Sequence, residues 1–197
     1  MKRGGKNMLK KVILALLVLL PLAVSGPAQA EPFGATAGAG LRAFSEIREA
    51  GLPHRYHYMV IPSRPHPAFA EYVAFIPPGY GLLSLSGLTG PIADTPDGKA
   101  ARQAFDRIRE ELTREYGTCE QHDHLAPGSG PALPEEWTRS IIQRKRIYGA
   151  IWTRKSGARL PEDLFSVYLA VIPYEGQTAV SVMYQFTRYD EYMRTHR

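Results

Sequence analysis

The sequence predicts an α+β domain: a mainly antiparallel sheet with two or three helices packed on one face. Three observations carry that expectation. Strand-like segments come in runs rather than in alternation with helices. The two longest, residues 163–174 and 178–187, read as a hairpin around Glu175-Gly176-Gln177. One strong apolar stripe, Ala101, Phe105, Ile108, Leu112 and Tyr116, marks a long helix with a single face to bury.

The other elements follow in chain order. Residues 31–40 (EPFGATAGAG) are small and Gly/Ala-rich, and they read as a loosely ordered lead-in. Residues 41–50 read as a short helix, with Leu41, Phe44 and Ile47 at three-residue steps and Gly51 then Pro53 to stop it. Residues 55–61, 69–76 and 82–88 read as strands, the first closed by Pro62 and the second by Pro77-Pro78-Gly79. The long helix is expected to open where Thr95 caps, Pro96 suits the first turn and Asp97 favours the dipole. Gly117 ends it. A short strand (118–124), a Pro/Gly loop (126–134), a second helix (135–144) led by Trp137, Ile141 and Ile142, and a strand (146–153) come next. A charged tail of one or two helical turns closes the chain.

Charge sets the function classes aside before any motif does. Lys plus Arg is 24 against 19 for Asp plus Glu, a formal net charge of +5. Lys2, Arg3, Lys6, Lys10 and Lys11 supply all of that excess, and without them 19 basic residues face 19 acidic ones. A neutral domain lacks the surplus cation that binding a phosphate backbone requires, so no nucleic-acid partner is expected. Residues 1–30 read instead as a secretory signal peptide: a basic start, an apolar run over 12–24, and the small-x-small pattern Ala28-Gln29-Ala30. As a helix that run would span roughly 20 Å, short of the about 30 Å of hydrocarbon in a bilayer, so no membrane span is expected after cleavage. Met8 offers a second good start for the same signal. Residues 31–197 are then a single α+β domain, periplasmic or secreted, long enough to bury a sizeable core. Its one cysteine, Cys119, excludes an intramolecular disulfide.

Chemistry-bearing motifs are sparse. Gly38-Ala39-Gly40-Leu41-Arg42-Ala43 matches a dinucleotide-binding fingerprint but lacks the strand that must precede it, and no cofactor is expected. Cys119, His122 and His124 form the densest set of candidate metal ligands. On a strand the two histidines share one face and Cys119 takes the other, so a further ligand has to come from His54, His57 or His66. No serine sits in a nucleophile elbow. The paired acids Glu110/Glu111, Glu135/Glu136, Glu162/Asp163 and Asp190/Glu191 read as solvated charge. Tyr56, Tyr58, Tyr72, Tyr184, Tyr189 and Tyr192 read as a half-exposed aromatic surface on or near the sheet.

Two broader patterns complete the reading. Tyr72-Val73-Ala74-Phe75-Ile76-Pro77 is echoed by Tyr168-Leu169-Ala170-Val171-Ile172-Pro173, 96 residues on, which strand composition explains more simply than a duplicated half. Pro32-Phe33-Gly34, Tyr72-x-x-Phe75-x-Pro77, Gly81-Leu82, Tyr116-Gly117, Trp137, Trp152 and Tyr184-x-Phe186 together resemble a loose group of small exported proteobacterial proteins. The resemblance implies export and an α+β fold and carries no catalytic residue across. The expected function is a non-catalytic module of the cell envelope that binds an envelope protein or a small ligand. The alternative is a metal- or thiol-dependent enzyme built on Cys119, His122 and His124.

Overall fold

The computed structural model describes residues 29–51, 55–129 and 133–196, so most of the expected signal peptide lies outside the described residues. The fold is α+β. Eight antiparallel strands form one sheet in the order β1-β2-β3-β4-β8-β7-β6-β5. They are β1 (Ser45–Glu49), β2 (His57–Ile61), β3 (Glu71–Phe75), β4 (Ser84–Leu88), β5 (Glu120–Leu125), β6 (Arg146–Trp152), β7 (Leu164–Tyr174) and β8 (Gln177–Phe186). Helix α1 (Lys99–Tyr116) joins β4 to β5, α2 (Trp137–Ile142) lies between β5 and β6, and α3 (Thr187–Thr195) follows β8. The sheet is therefore two four-stranded meanders joined along β4 and β8.

The β7–β8 hairpin forms as expected. Tyr174 pairs with Gln177, and Glu175 and Gly176 both take positive φ (48° and 75°), as a type I′ turn requires. Val167, Leu169 and Val171 on β7 and Val180, Val182, Tyr184 and Phe186 on β8 alternate into the core. The whole expected stripe of α1, from Ala101 to Tyr116, is buried against β7 and β8. Trp137 and Ile141 of α2 pack on the same face.

Three local expectations are corrected. The helix expected over 41–50 is a single 3-10 turn, Leu41–Ala43, followed by β1. The three-residue spacing buries only Phe44, and Ile47 stands 42% exposed on the edge strand. Helix α1 starts at Lys99, later than expected, and Thr95 does not cap it. The Asp94 carboxylate does, accepting the Ala100 and Ala101 amides at 2.9 Å each. Gly98 precedes the helix at φ 73°, a conformation that favours glycine, and the Trp137 ring leaves no room for a side chain there. Thr138 ties the two helix starts together through Pro96 O (3.0 Å) and Thr95 O (2.6 Å).

The third correction concerns residues 31–40, which are docked rather than loose. Ala35 is buried, and the Gly38 amide donates to Leu82 O while the Leu82 amide donates to Ala39 O. Phe33 enters an aromatic cluster edge-on, with ring centroids 5.6 Å from Phe69, 4.9 Å from Tyr72 and 5.5 Å from Tyr184. Small residues allow this segment to lie flat on the sheet, and so their composition imitates that of a linker.

The strand echo falls on β3 and β7, which hold equivalent places in the two meanders. Tyr72 faces Gly87 across β3–β4, and Tyr168 faces Met183 across β7–β8. The faces disagree. Tyr72 is a core residue, whereas Tyr168 sits between buried Val167 and Leu169 and points to the other side of the sheet. A one-residue slip exchanges the two faces of a strand, so the echo reflects strand composition and not a repeated unit.

A candidate ligand cleft beside the N-terminal segment

The Cys119, His122 and His124 set does not converge. Cys119 packs against the core, while His122 and His124 stand opposite Gly149 and Ile147 on the other face, their ring centroids 6.1 Å apart. His122 faces Glu120 at 3.7 Å. Of the further ligands considered, His57 stacks on Phe75 at 4.5 Å, far along the sheet from β5, and His66 pairs with Glu111. His54 lies outside the described residues. Among the described residues no three His, Cys, Asp or Glu side chains gather as metal ligands would. The Gly38–Gly40 fingerprint lies in the docked segment, with no described strand before it.

The sheet edges are also poor docking places. β1 carries Glu46, Arg48 and Glu49, and β5 carries Glu120, Asp123 and two histidines. Charge on an edge strand discourages addition of another strand. Of the surface tyrosines, Tyr189 and Tyr192 lie edge-on to Phe75, which covers part of the far face with α3. Tyr58 packs toward the core, and Tyr72 and Tyr184 are buried in it.

The richest chemistry lies in a cleft of about 520 Å³ where four segments meet. Phe33 comes from the docked N-terminal segment, Arg64 and His66 from the β2–β3 loop, Glu115 and Tyr116 from the end of α1, and Tyr184 from β8. The loop is held by Tyr72, whose phenol oxygen accepts the His66 amide at 2.6 Å and donates to His66 O at 3.1 Å. His66 Nδ1 accepts the Ala68 amide at 3.2 Å, which leaves the proton on Nε2 facing Glu111 at 3.2 Å. Both ring nitrogens are thus occupied, and His66 has no free lone pair to act as a base or ligand.

The cleft is acidic and aromatic. Arg64 pairs with Glu31 at 2.5 Å and His66 with Glu111, while the Glu115 carboxylate acts on the Tyr116 phenol. Burial first, then the charges of Glu115 and Glu111, push the Tyr184 phenol far above its ordinary value. Burial, then Tyr184, Glu115 and Asp163, do the same to Tyr116. Asp163 lies beneath the cleft wall: its Oδ1 accepts the Ala30 amide at 2.9 Å, and its Oδ2 is buried without a hydrogen-bond partner.

The chain matches no protein-family model, no curated protein and no solved structure. The cleft therefore has to be read from its own residues. Most of them escape a sequence reading. Glu111 and Asp163 belong to acid pairs that read as solvated charge, and Tyr116 reads as the last position of a core stripe. One signal was available: Glu115 stands in the last turn of α1, where the helix dipole disfavours negative charge. An acid held there against the dipole points to a role outside helix stability.

Proposed function

We propose that this is an exported, non-catalytic binding module of the cell envelope whose cleft takes a cationic group. That group is an organic amine or a basic side chain of an envelope partner. The observation that carries the reading is the pairing of aromatic walls, Phe33, Tyr116 and Tyr184, with the Glu115 carboxylate in the same lining, backed by the charge of Glu111, which is held on His66. Aromatic faces and carboxylates attract a cation together, more strongly where water is partly excluded. The absence of a free His66 nitrogen and the separation of Cys119 from the β5 histidines favour binding over turnover. Export is supported by the basic, apolar and small-residue order of the first thirty residues. Among the described residues no helix is long and apolar enough to cross a membrane.

Calorimetric titration with an aliphatic diammonium ion and a dicarboxylate of matched length tests the site. The diammonium ion is expected to bind, and Glu115→Gln to weaken it about tenfold, the loss of roughly 1.4 kcal/mol. Equal binding of the dicarboxylate, or an unchanged affinity in Glu115→Gln, overturns the assignment.

A further inference from the structure

The sequence pattern alone places leader cleavage after Ala30, but Ala30 is a structural residue. It is 4% exposed and belongs to the core, and its amide is the donor to Asp163 Oδ1. A cut after Ala30 would delete that donor and leave a carboxylate with both oxygens unpartnered in a buried place. The new terminus at Glu31 is badly placed to replace it. Glu31 O already accepts the Gly34 amide at 3.0 Å, its side chain is paired with Arg64, and Pro32 follows. Two residues earlier, Gly26-Pro27-Ala28 is a second small-x-small pattern.

We propose that the leader is removed after Ala28, so that the mature chain begins at Gln29 and its α-ammonium docks on Asp163. The inference rests on the export reading. A leader peptidase adds water across the Ala28–Gln29 peptide bond, which leaves a carboxylate on Ala28 and an ammonium on Gln29. Gln29 lines the cleft and directly precedes the amide that Oδ1 already holds. Once free of residue 28, it turns about its own backbone bond and brings the ammonium to the vacant Oδ2. The charge-assisted pair satisfies the one carboxylate oxygen that is buried without a partner among the described residues. The Ala28–Gln29 cut also makes the new terminus a residue of the cleft wall.

Intact-mass measurement of the full chain, expressed with its own leader and recovered from the exported fraction, tests the placement. A chain beginning at Gln29 with its amine intact is expected. Gly26→Leu should block the cut and Ala30→Leu should not. A chain beginning at Glu31 overturns the inference and leaves export standing, whereas an unprocessed chain overturns the export reading itself. Docking is read separately. An N-terminal glutamine cyclises when its free amine attacks its own side-chain amide and expels ammonia, and an amine held by Asp163 is protected. Asp163→Asn should speed that mass loss at least fivefold over wild type, with Glu162→Gln as the neighbouring control and circular dichroism to confirm folding. A wild-type terminus already cyclised on isolation, or equal rates in wild type and Asp163→Asn, overturns the docking.

Discussion

The two meanders solve the same problem with different materials. The C-terminal one, β5 to β8, contains strands of 10 and 11 residues and is roofed by α1 and α2. The N-terminal one, β1 to β4, has strands of five residues, and the docked segment with the Phe33, Phe69 and Tyr72 rings covers its inner face. A helix brings its own hydrogen bonds to the sheet, whereas an extended segment must borrow them, as Gly38 and Ala39 do from Leu82. The roofed half is therefore the stability reservoir, and the cleft opens where the clamp meets the end of α1 and β8.

That contrast can be broken most sharply at Trp137, which is fully buried beneath the roof. Trp137→Ala is expected to cost about 4 kcal/mol, measured by urea denaturation. Phe33→Ala, in the half-exposed clamp, should cost about 2 kcal/mol, because water already reaches that ring. Equal losses would erase the distinction between the halves. Gly98→Ala falls between them, at about 3 kcal/mol: the new methyl would sit 1.9 Å from the Trp137 ring at a positive φ, so α1 or α2 must shift.

A bond across the two halves gives a smaller effect, and one that depends on pH. Tyr174 of β7 donates to Glu71 of β3 at 2.9 Å, and that bond, then burial and the Glu71 charge, push its phenol up to about 12 from 10.0. A raised folded value means that the folded chain holds the proton more tightly. The contribution is complete below pH 10 and is lost as pH rises from 10 through 12. Urea midpoints of wild type should accordingly fall faster than those of Tyr174→Phe across that window, and parallel curves would show that the bond contributes nothing. The smallest expected change is a gain. Glu175→Asn puts a residue tolerant of positive φ at the β7–β8 turn and should raise stability by about 0.5 kcal/mol, read as a higher thermal midpoint.

What the sequence disclosed follows the same division. The roofed half was legible because its signals are local and regular: alternation on β7 and β8, a helical stripe on α1, and turn residues at 175–177 between the strands. The clamp was not. Residues 31–40 carry no period, and Phe33 acts through Tyr184, which lies about 150 positions later, a contact made by tertiary packing rather than local propensity. The cap of α1 was missed for a related reason. The Asp94 side chain reaches six and seven residues ahead across a turn, beyond the window in which capping motifs are read. Cys119 and the β5 histidines were legible in the way the roofed half was: alternation sets them on opposite faces of a strand, and the structure places them so.

The seam between β4 and β8 has a consequence for how the molecule comes into being. Leu85 of β4 pairs with Tyr184 of β8, ninety-nine positions further along the chain. Until that last strand emerges, the first meander has an open inner margin and nothing to close it. Local hairpins form early, but a pairing of such long reach waits for loop closure and slows the final step. A nascent chain stopped between β7 and β8 is thus two unfinished sheets, each with an adhesive edge turned toward its neighbours.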